Sequence, residues 1–157
     1  MEESKTRKEF TQSARLYAVQ GYLCSEAVLL AAKAWWGIKD RLIPRIATGF
    51  GAGVGRQGLI CGALSGGIMA LGVRYGRDKP TKGNTPYWFT QELAKRFKER
   101  FGTLTCRELT ECDLLTKAGQ KKYSKEQTWE KKCHQYIEEV AGIVFDIISE
   151  DPTFEHV

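Results

Sequence analysis

The stretch TGFGAGVGRQGLICGALSGGIMALGVRYG, from Thr48 to Gly76, decides the fold. Between Leu59 and Val73 it contains no charged residue, although the rest of the chain is highly charged. An uncharged run of this kind is typical of an element that is buried on all sides. We therefore expect it to form a central hydrophobic helix, which the other elements surround.

Small and large residues fall on separate faces of this predicted helix. Small residues recur at every fourth position and would leave one face almost bare, so that a neighbouring helix can approach closely. They are Gly58, Gly62, Gly66 and Ala70. The large residues follow the three-and-four spacing of an apolar face: Cys61, Leu64, Ile68, Leu71 and Tyr75. A helix of the same chain or of a second copy can pack against the bare face, so a homodimer is one possible arrangement.

Two other interpretations of the segment are weaker. A membrane span needs about 20 apolar residues, and the uncharged run is shorter than that, so no membrane span is expected. The spacing of Gly53, Gly55 and Gly58, with Asp78 further on, matches a dinucleotide-binding fingerprint. That fingerprint requires a preceding strand, whereas Pro44 interrupts the residues before it and no strand pattern is found elsewhere.

Length and composition indicate one ordinary globular domain covering residues 1–157, with 42% hydrophobic and 27% charged residues. The start, MEESKTRKEF, lacks the apolar core of a secretory signal, so a cytoplasmic location is expected. In a reducing compartment, five cysteines favour catalytic, redox or metal-binding thiols over structural disulfides. The net charge of +5 comes from lysines and arginines interleaved with acids, as on solvated helix faces, so nucleic-acid binding is not expected.

Helical patterns cover most of the remaining chain and predict an all-α bundle of six or seven helices. The predicted segments are residues 5–19, 24–36, a short helix starting near Leu42, residues 86–101, a short helix from Cys106, and a final helix opened by a capping box at Ser124 and ending before Pro152. Residues 116–123 are predicted to form a loop or a single turn.

Four of the cysteines share a predicted setting. Cys24, Cys61 and Cys106 lie at or near helix starts, where unpaired amides favour an anion and are expected to lower the pKa of a thiol. Cys133 lies on the apolar face of the final helix. Because free cysteines often only fill space in a core, an inert role for these thiols is the competing interpretation. The neighbouring His134 points about 100° away from Cys133, so we expect a surface or capping residue.

The motif Cys61-Gly62-Ala63-Leu64-Ser65-Gly66 resembles the central motif of the C_GCAxxG_C_C family, although the family label orders its first residues Gly-Cys-Ala. Further resemblance lies in SEAVL after Cys24, GFGAGVGRQG, GIMALGVRYG, FGTLTCREL and KKCHQYIEEVAGIV, and covers nearly the whole chain. It implies a redox-active bacterial or archaeal protein whose four family cysteines are Cys24, Cys61, Cys106 and Cys133. Cys112 is then an extra.

Three functions remain open at this point. The first hypothesis is a thiol-disulfide oxidoreductase that needs no cofactor, in which a thiolate such as Cys61 attacks an oxidised partner protein or small thiol compound and a second cysteine resolves the mixed disulfide. The second is a site for zinc or an iron-sulfur cluster, with Cys24, Cys61, Cys106 and Cys133 as ligands. The third is a helical ligand-binding or interaction module with inert core cysteines.

Overall fold

Helices account for the regular structure of the chain. The computed structural model describes residues 6–153. Its α-helices are α1 Arg7–Val19, α2 Cys24–Trp35, α3 Gly51–Val54, α4 Gly62–Tyr75, α5 Trp88–Phe101, α6 Cys106–Thr110, α7 Lys117–Lys125 and α8 His134–Glu150. A 3-10 helix, Arg45–Phe50, precedes α3, and a π-helix, Trp129–Cys133, leads into α8. Within residues 6–153 the only β-type pairing is an isolated bridge, so the expected all-α class is confirmed.

The central hydrophobic helix is α4, which packs against α2, α5 and α8. Leu64 and Leu71 are fully buried on it, as expected from their spacing. The bare face is used within the chain, because a Cβ at Gly66 would lie 2.5 Å from the Ser25 carbonyl oxygen of α2. The prediction was wrong for Gly58, which precedes the helix and has a φ of +69°.

Helix α7 was not predicted, and it is one reason why residues 6–153 contain eight α-helices instead of six or seven. The side chain of Thr116 caps it by accepting a hydrogen bond from the Gly119 amide at 2.9 Å. Gly119 packs so tightly on the Asp113 carbonyl group that a Cβ would overlap it. The capping box predicted at Ser124 is not formed, since Ser124 lies inside α7.

The remaining differences from the prediction are small. The short helix expected near Leu42 is the 3-10 helix, which starts directly after Pro44. The apolar face expected for the last helix is confirmed, with Ile137, Val140 and Val144 fully buried on α8. No helix within residues 6–153 has the length and apolar character needed to span a bilayer.

Candidate active site

A cavity of about 390 Å³ lies where α2, α4 and α6 begin and where the π-helix joins α8. The four cysteines singled out by the sequence all line it: Cys24, Cys61, Cys106 and Cys133. All are free thiols. Cys112 is not among the lining residues; it is 2% exposed, and its thiol lies 3.3 Å from the Thr110 carbonyl oxygen. The fold therefore gathers the four thiols on one cavity and leaves the fifth in the core.

Gly62 brings the first two thiols together. Cys24 is the first residue of α2, and Cys61 is the N-cap of α4. A Cβ at Gly62 would overlap the Cys24 sulfur and would lie 3.1 Å from the Phe50 carbonyl oxygen. The missing side chain thus allows the start of α4, with Cys61, to lie against the Cys24 thiol.

The isolated bridge positions Cys61 and Cys106. Ile60 pairs with Thr105 in an antiparallel arrangement, and the amide of Cys106 donates to the Leu59 carbonyl oxygen at 2.6 Å. Successive side chains of extended backbone point to opposite sides. Cys61 and Cys106, each one residue after the bridge, therefore lie on the same side of it.

Cys133 is the last residue of the π-helix, a rare form of helix that is frequent at functional sites. Its sulfur lies 3.2 Å from the Tyr123 hydroxyl oxygen, and either group can donate the hydrogen bond. Tyr123 and Gln120 reach the cavity from α7, and sequence analysis missed both because α7 was taken for a loop. The Thr116 cap was the available signal, since a helix starting there places residues 120 and 123 on one face.

A left-handed turn borders the cavity beside Cys24. Five consecutive residues, Ala52 to Arg56, have φ values between +55° and +69°. Residues other than glycine cost roughly 1–2 kcal/mol each in this conformation, and strain of this kind often occurs at functional sites. The turn directs the Ala52 amide at the Cys24 sulfur. The glycines at positions 53 and 55 thus serve this turn, and the dinucleotide-binding interpretation is wrong because no strand precedes them within the described residues.

The expected lowering of the thiol pKa values is contradicted. Burial raises the pKa of Cys106 to about 11 and that of Cys133 to about 12. It also raises the pKa of Cys24, and it raises that of Cys61 well above its ordinary value, with the charge of a Cys24 thiolate as the next cause. Amides at the helix starts do lower the thiol pKa values, as predicted, but desolvation of the thiolate raises them by more. At neutral pH these four groups are therefore protonated thiols.

His134 is buried, contrary to the surface or capping position expected for it. It is 6% exposed, and its Nε2 atom has no hydrogen-bond partner in the part of the chain that the structure describes. The ring packs edge-on against Trp129 with the ring centres 5.1 Å apart. Burial lowers the pKa of the imidazole, with the Arg15 charge as a second cause, so it is neutral. The sequence missed this because α1 packs on α8 and brings Arg15 near the ring, which the pattern of α8 alone does not reveal.

The alternative metal site depends on how the possible ligands are grouped. Among residues 6–153, no three histidine, cysteine, aspartate or glutamate side chains are grouped closely enough to hold a metal ion. The alternative ligand set of Cys24, Cys61, Cys106 and Cys133 lines one cavity. A four-thiolate zinc or iron-sulfur site stays a prediction.

Comparison with known protein families matches most of the chain. The family model described as "Putative redox-active protein (C_GCAxxG_C_C)" matches residues 22–147, which include all four cavity cysteines. No match was found among curated proteins or among solved structures.

Proposed function

The chain belongs to the C_GCAxxG_C_C family of redox-active proteins, and on that premise we propose that it is a dithiol reductant working by thiol-disulfide exchange. The observation that carries the proposal is the gathering of Cys24, Cys61, Cys106 and Cys133 on one cavity. Cysteines so far apart in the chain share a small space only because four separate helix ends meet there. The reducing cytoplasm is the setting we assign to it.

Cys24 and Cys61 form the reacting pair in this proposal. The Cys24 sulfur rests on Gly62, the residue after Cys61, and the charge with the largest unfavourable effect on a Cys61 thiolate is that of Cys24. Cys24 lies next to the exposed residues Tyr22 and Leu23, whereas Cys61 is 6% exposed. Cys24 therefore makes the first attack, which reverses the role expected for Cys61 from the sequence, and Cys61 resolves.

The two steps balance as an exchange of one disulfide for another. The Cys24 thiolate attacks one sulfur of the acceptor disulfide, and the first acceptor thiolate leaves. The Cys61 thiolate then attacks the Cys24 sulfur of the mixed disulfide, and the second acceptor thiolate leaves. The two protons lost by Cys24 and Cys61 pass to the leaving thiolates, so two electrons and two protons are transferred in total. The acceptor is a partner protein or a small disulfide.

The raised pKa values favour the reducing direction. A dithiol protein is a strong oxidant when its reduced form is stabilised as a thiolate. Burial removes that stabilisation here, because it holds Cys24 and Cys61 in the protonated form. The disulfide form is favoured in consequence, and the protein gives up electrons readily. The small thiolate fraction that follows from a raised pKa also protects the thiols from unwanted oxidation.

Cys106 and Cys133 have a different role in the proposal. They line the same cavity, so they are the next thiols within the protein that could exchange with a Cys24–Cys61 disulfide. The Tyr123 hydroxyl hydrogen bond holds the Cys133 thiol in place and assists its ionisation, since it is the leading influence that lowers the pKa of that group.

A redox titration with alkylation and mass spectrometry tests the proposal. Wild-type protein and the control Cys112→Ser should show the same two-electron couple, with a disulfide between Cys24 and Cys61. Cys24→Ser and Cys61→Ser should each lose it. An unchanged couple in either of these variants would contradict the assignment, and so would bound iron or zinc in anaerobically purified protein at one equivalent per chain.

A further inference from the structure

The lining of the cavity, apart from its thiols, is largely apolar and aromatic. Its aromatic side chains are Tyr22, Tyr123, Trp129 and Tyr136, and Leu23, Leu109 and Leu114 also line it. Among residues 6–153, no aspartate, glutamate or lysine lines the cavity, and Arg56 is the single charged residue of the lining. A ligand with a flat apolar body and one negative charge would match this surface.

The mouth of the cavity is marked by the lining residues that are exposed to solvent. These are Gly21, Tyr22, Leu23 and Arg56. Arg56 ends the left-handed turn, with a φ of +69°, and this turn holds its side chain at the mouth. An exposed arginine at the entrance can attract an anion and then bind it by two parallel hydrogen bonds.

Basic residues are concentrated on one helix that borders the cavity. Helix α7, which supplies Gln120 and Tyr123 to the lining, carries four lysines and no acidic residue. The Glu26 carboxylate accepts a hydrogen bond from the Leu23 amide at the mouth, and Lys132 of the π-helix pairs with Glu111, so the charges around the cavity are mixed. The preference for an anionic ligand therefore rests on the contact with Arg56.

We propose that the cavity binds a small, flat, largely apolar molecule that carries one anionic group, with its rings against the aromatic side chains and the anion at Arg56. The volume of about 390 Å³ lies in the range of small-molecule sites. The role of this ligand as the acceptor rests on the proposed function, in which an aromatic disulfide of this class would be cleaved by the two exchange steps given above. Binding itself does not depend on thiol chemistry.

Two fluorescent dyes with the same ring system provide the test. 1-Anilinonaphthalene-8-sulfonate is flat, apolar and anionic, and N-phenyl-1-naphthylamine lacks the sulfonate. The sulfonated dye should bind the reduced wild-type protein more tightly than the neutral one. Replacing Arg56→Gln should weaken the anionic dye about fivefold, since an exposed ion pair contributes up to about 1 kcal/mol, and should leave the neutral dye unchanged.

Matched variants separate the contact from general charge and folding effects. Arg41→Gln removes an exposed arginine that does not line the cavity and should leave both affinities unchanged. Arg56→Lys keeps the charge and should keep most of the affinity for the anionic dye. Alkylating the Cys24 thiol with N-ethylmaleimide should abolish binding of both dyes, because the adduct occupies the cavity.

The inference is overturned if the two dyes bind alike, if Arg56→Gln and Arg41→Gln have the same effect, or if alkylated protein still binds. These outcomes differ from failure of the proposed function. Neither dye contains a disulfide, so binding that depends on Arg56 supports the inference even if Cys24 and Cys61 never pair. A Cys24–Cys61 couple without such binding would support the exchange reaction and reject this ligand class.

Discussion

Substitution of glycines on α4 tests how closely this helix approaches α2. At Gly66, an added Cβ would lie 2.5 Å from the Ser25 carbonyl oxygen and 3.1 Å from both the Ser25 Cα and the Val28 Cβ. The nearest atoms belong to the backbone of a neighbouring helix, which cannot move aside like the end of a flexible side chain. At Gly72, on the same helix, an added Cβ would meet nothing within 4 Å.

The two substitutions to alanine should therefore have opposite effects on stability. Each gains about 1 kcal/mol from the higher helix propensity of alanine. Gly72→Ala should keep this gain. Gly66→Ala should also suffer overpacking, typically 1–3 kcal/mol, and the contact with backbone places it near the upper end of that range. We expect a net destabilisation of about 2 kcal/mol, and hence a difference of about 3 kcal/mol between the variants.

Urea unfolding followed by circular dichroism measures this difference, provided that the slope with denaturant is the same for all proteins. In a thermal scan, Gly66→Ala should melt roughly 4–8 °C below the wild type, on the scaling for domains of this size. The reasoning is refuted if Gly66→Ala is as stable as Gly72→Ala. In that case α2 and α4 are not in close contact, and the placement of Cys24 beside Gly62 fails with it.

The remaining predictions concern the thiols and the turn beside them. The rate of alkylation of the reduced protein by iodoacetamide should keep rising between pH 9 and 11, because burial raises the thiol pKa values, to about 11 for Cys106. The rate for urea-unfolded protein should level off near pH 9. Equal pH profiles for the folded and unfolded proteins would argue against burial as the cause. Over the same interval the free energy of unfolding should fall as pH rises, since unfolded thiols release protons that the folded protein retains, and urea titrations at several pH values measure the loss. Tyr123→Phe should slow alkylation of Cys133 several-fold at fixed pH, because the hydroxyl group that stabilises its thiolate is gone, while peptide mass spectrometry should show Cys24 unaffected. Ala52→Gly should stabilise the protein by about 1 kcal/mol in urea unfolding, because glycine adopts a φ of +55° without strain; a loss of stability would contradict the left-handed turn.

The sequence predicted the part of the candidate site that depends on local pattern. Three of the four cavity cysteines were placed at helix starts from capping residues and helix propensity alone, and Cys24, Cys61 and Cys106 are found there. The direction of the pKa shift of these thiols was predicted wrongly. The helix start is a local feature, whereas the desolvation that outweighs it comes from distant segments that close over the sulfur.

Two residues beside the thiols show the same limit. Tyr123 lies in a lysine-rich segment that has no apolar face of its own, and α7 is held by contacts with the preceding loop, such as that of the Gln120 side chain with the Leu114 carbonyl oxygen at 2.9 Å. His134 was expected at the surface because neither its own helix nor its neighbours in the chain reveal that α1 packs on α8.

The sequence by itself determined that the chain is helical and that α4 is central and glycine-faced. It also identified Cys24, Cys61, Cys106 and Cys133 as the candidate site residues. Periodicity and capping are encoded within a few residues, so they can be read without coordinates. Only the tertiary structure decided that the four thiols line one cavity, that burial keeps them protonated, and that Arg56 lies at its mouth. These properties depend on which distant surfaces meet, because burial and charge around an atom are set by every segment packed against it.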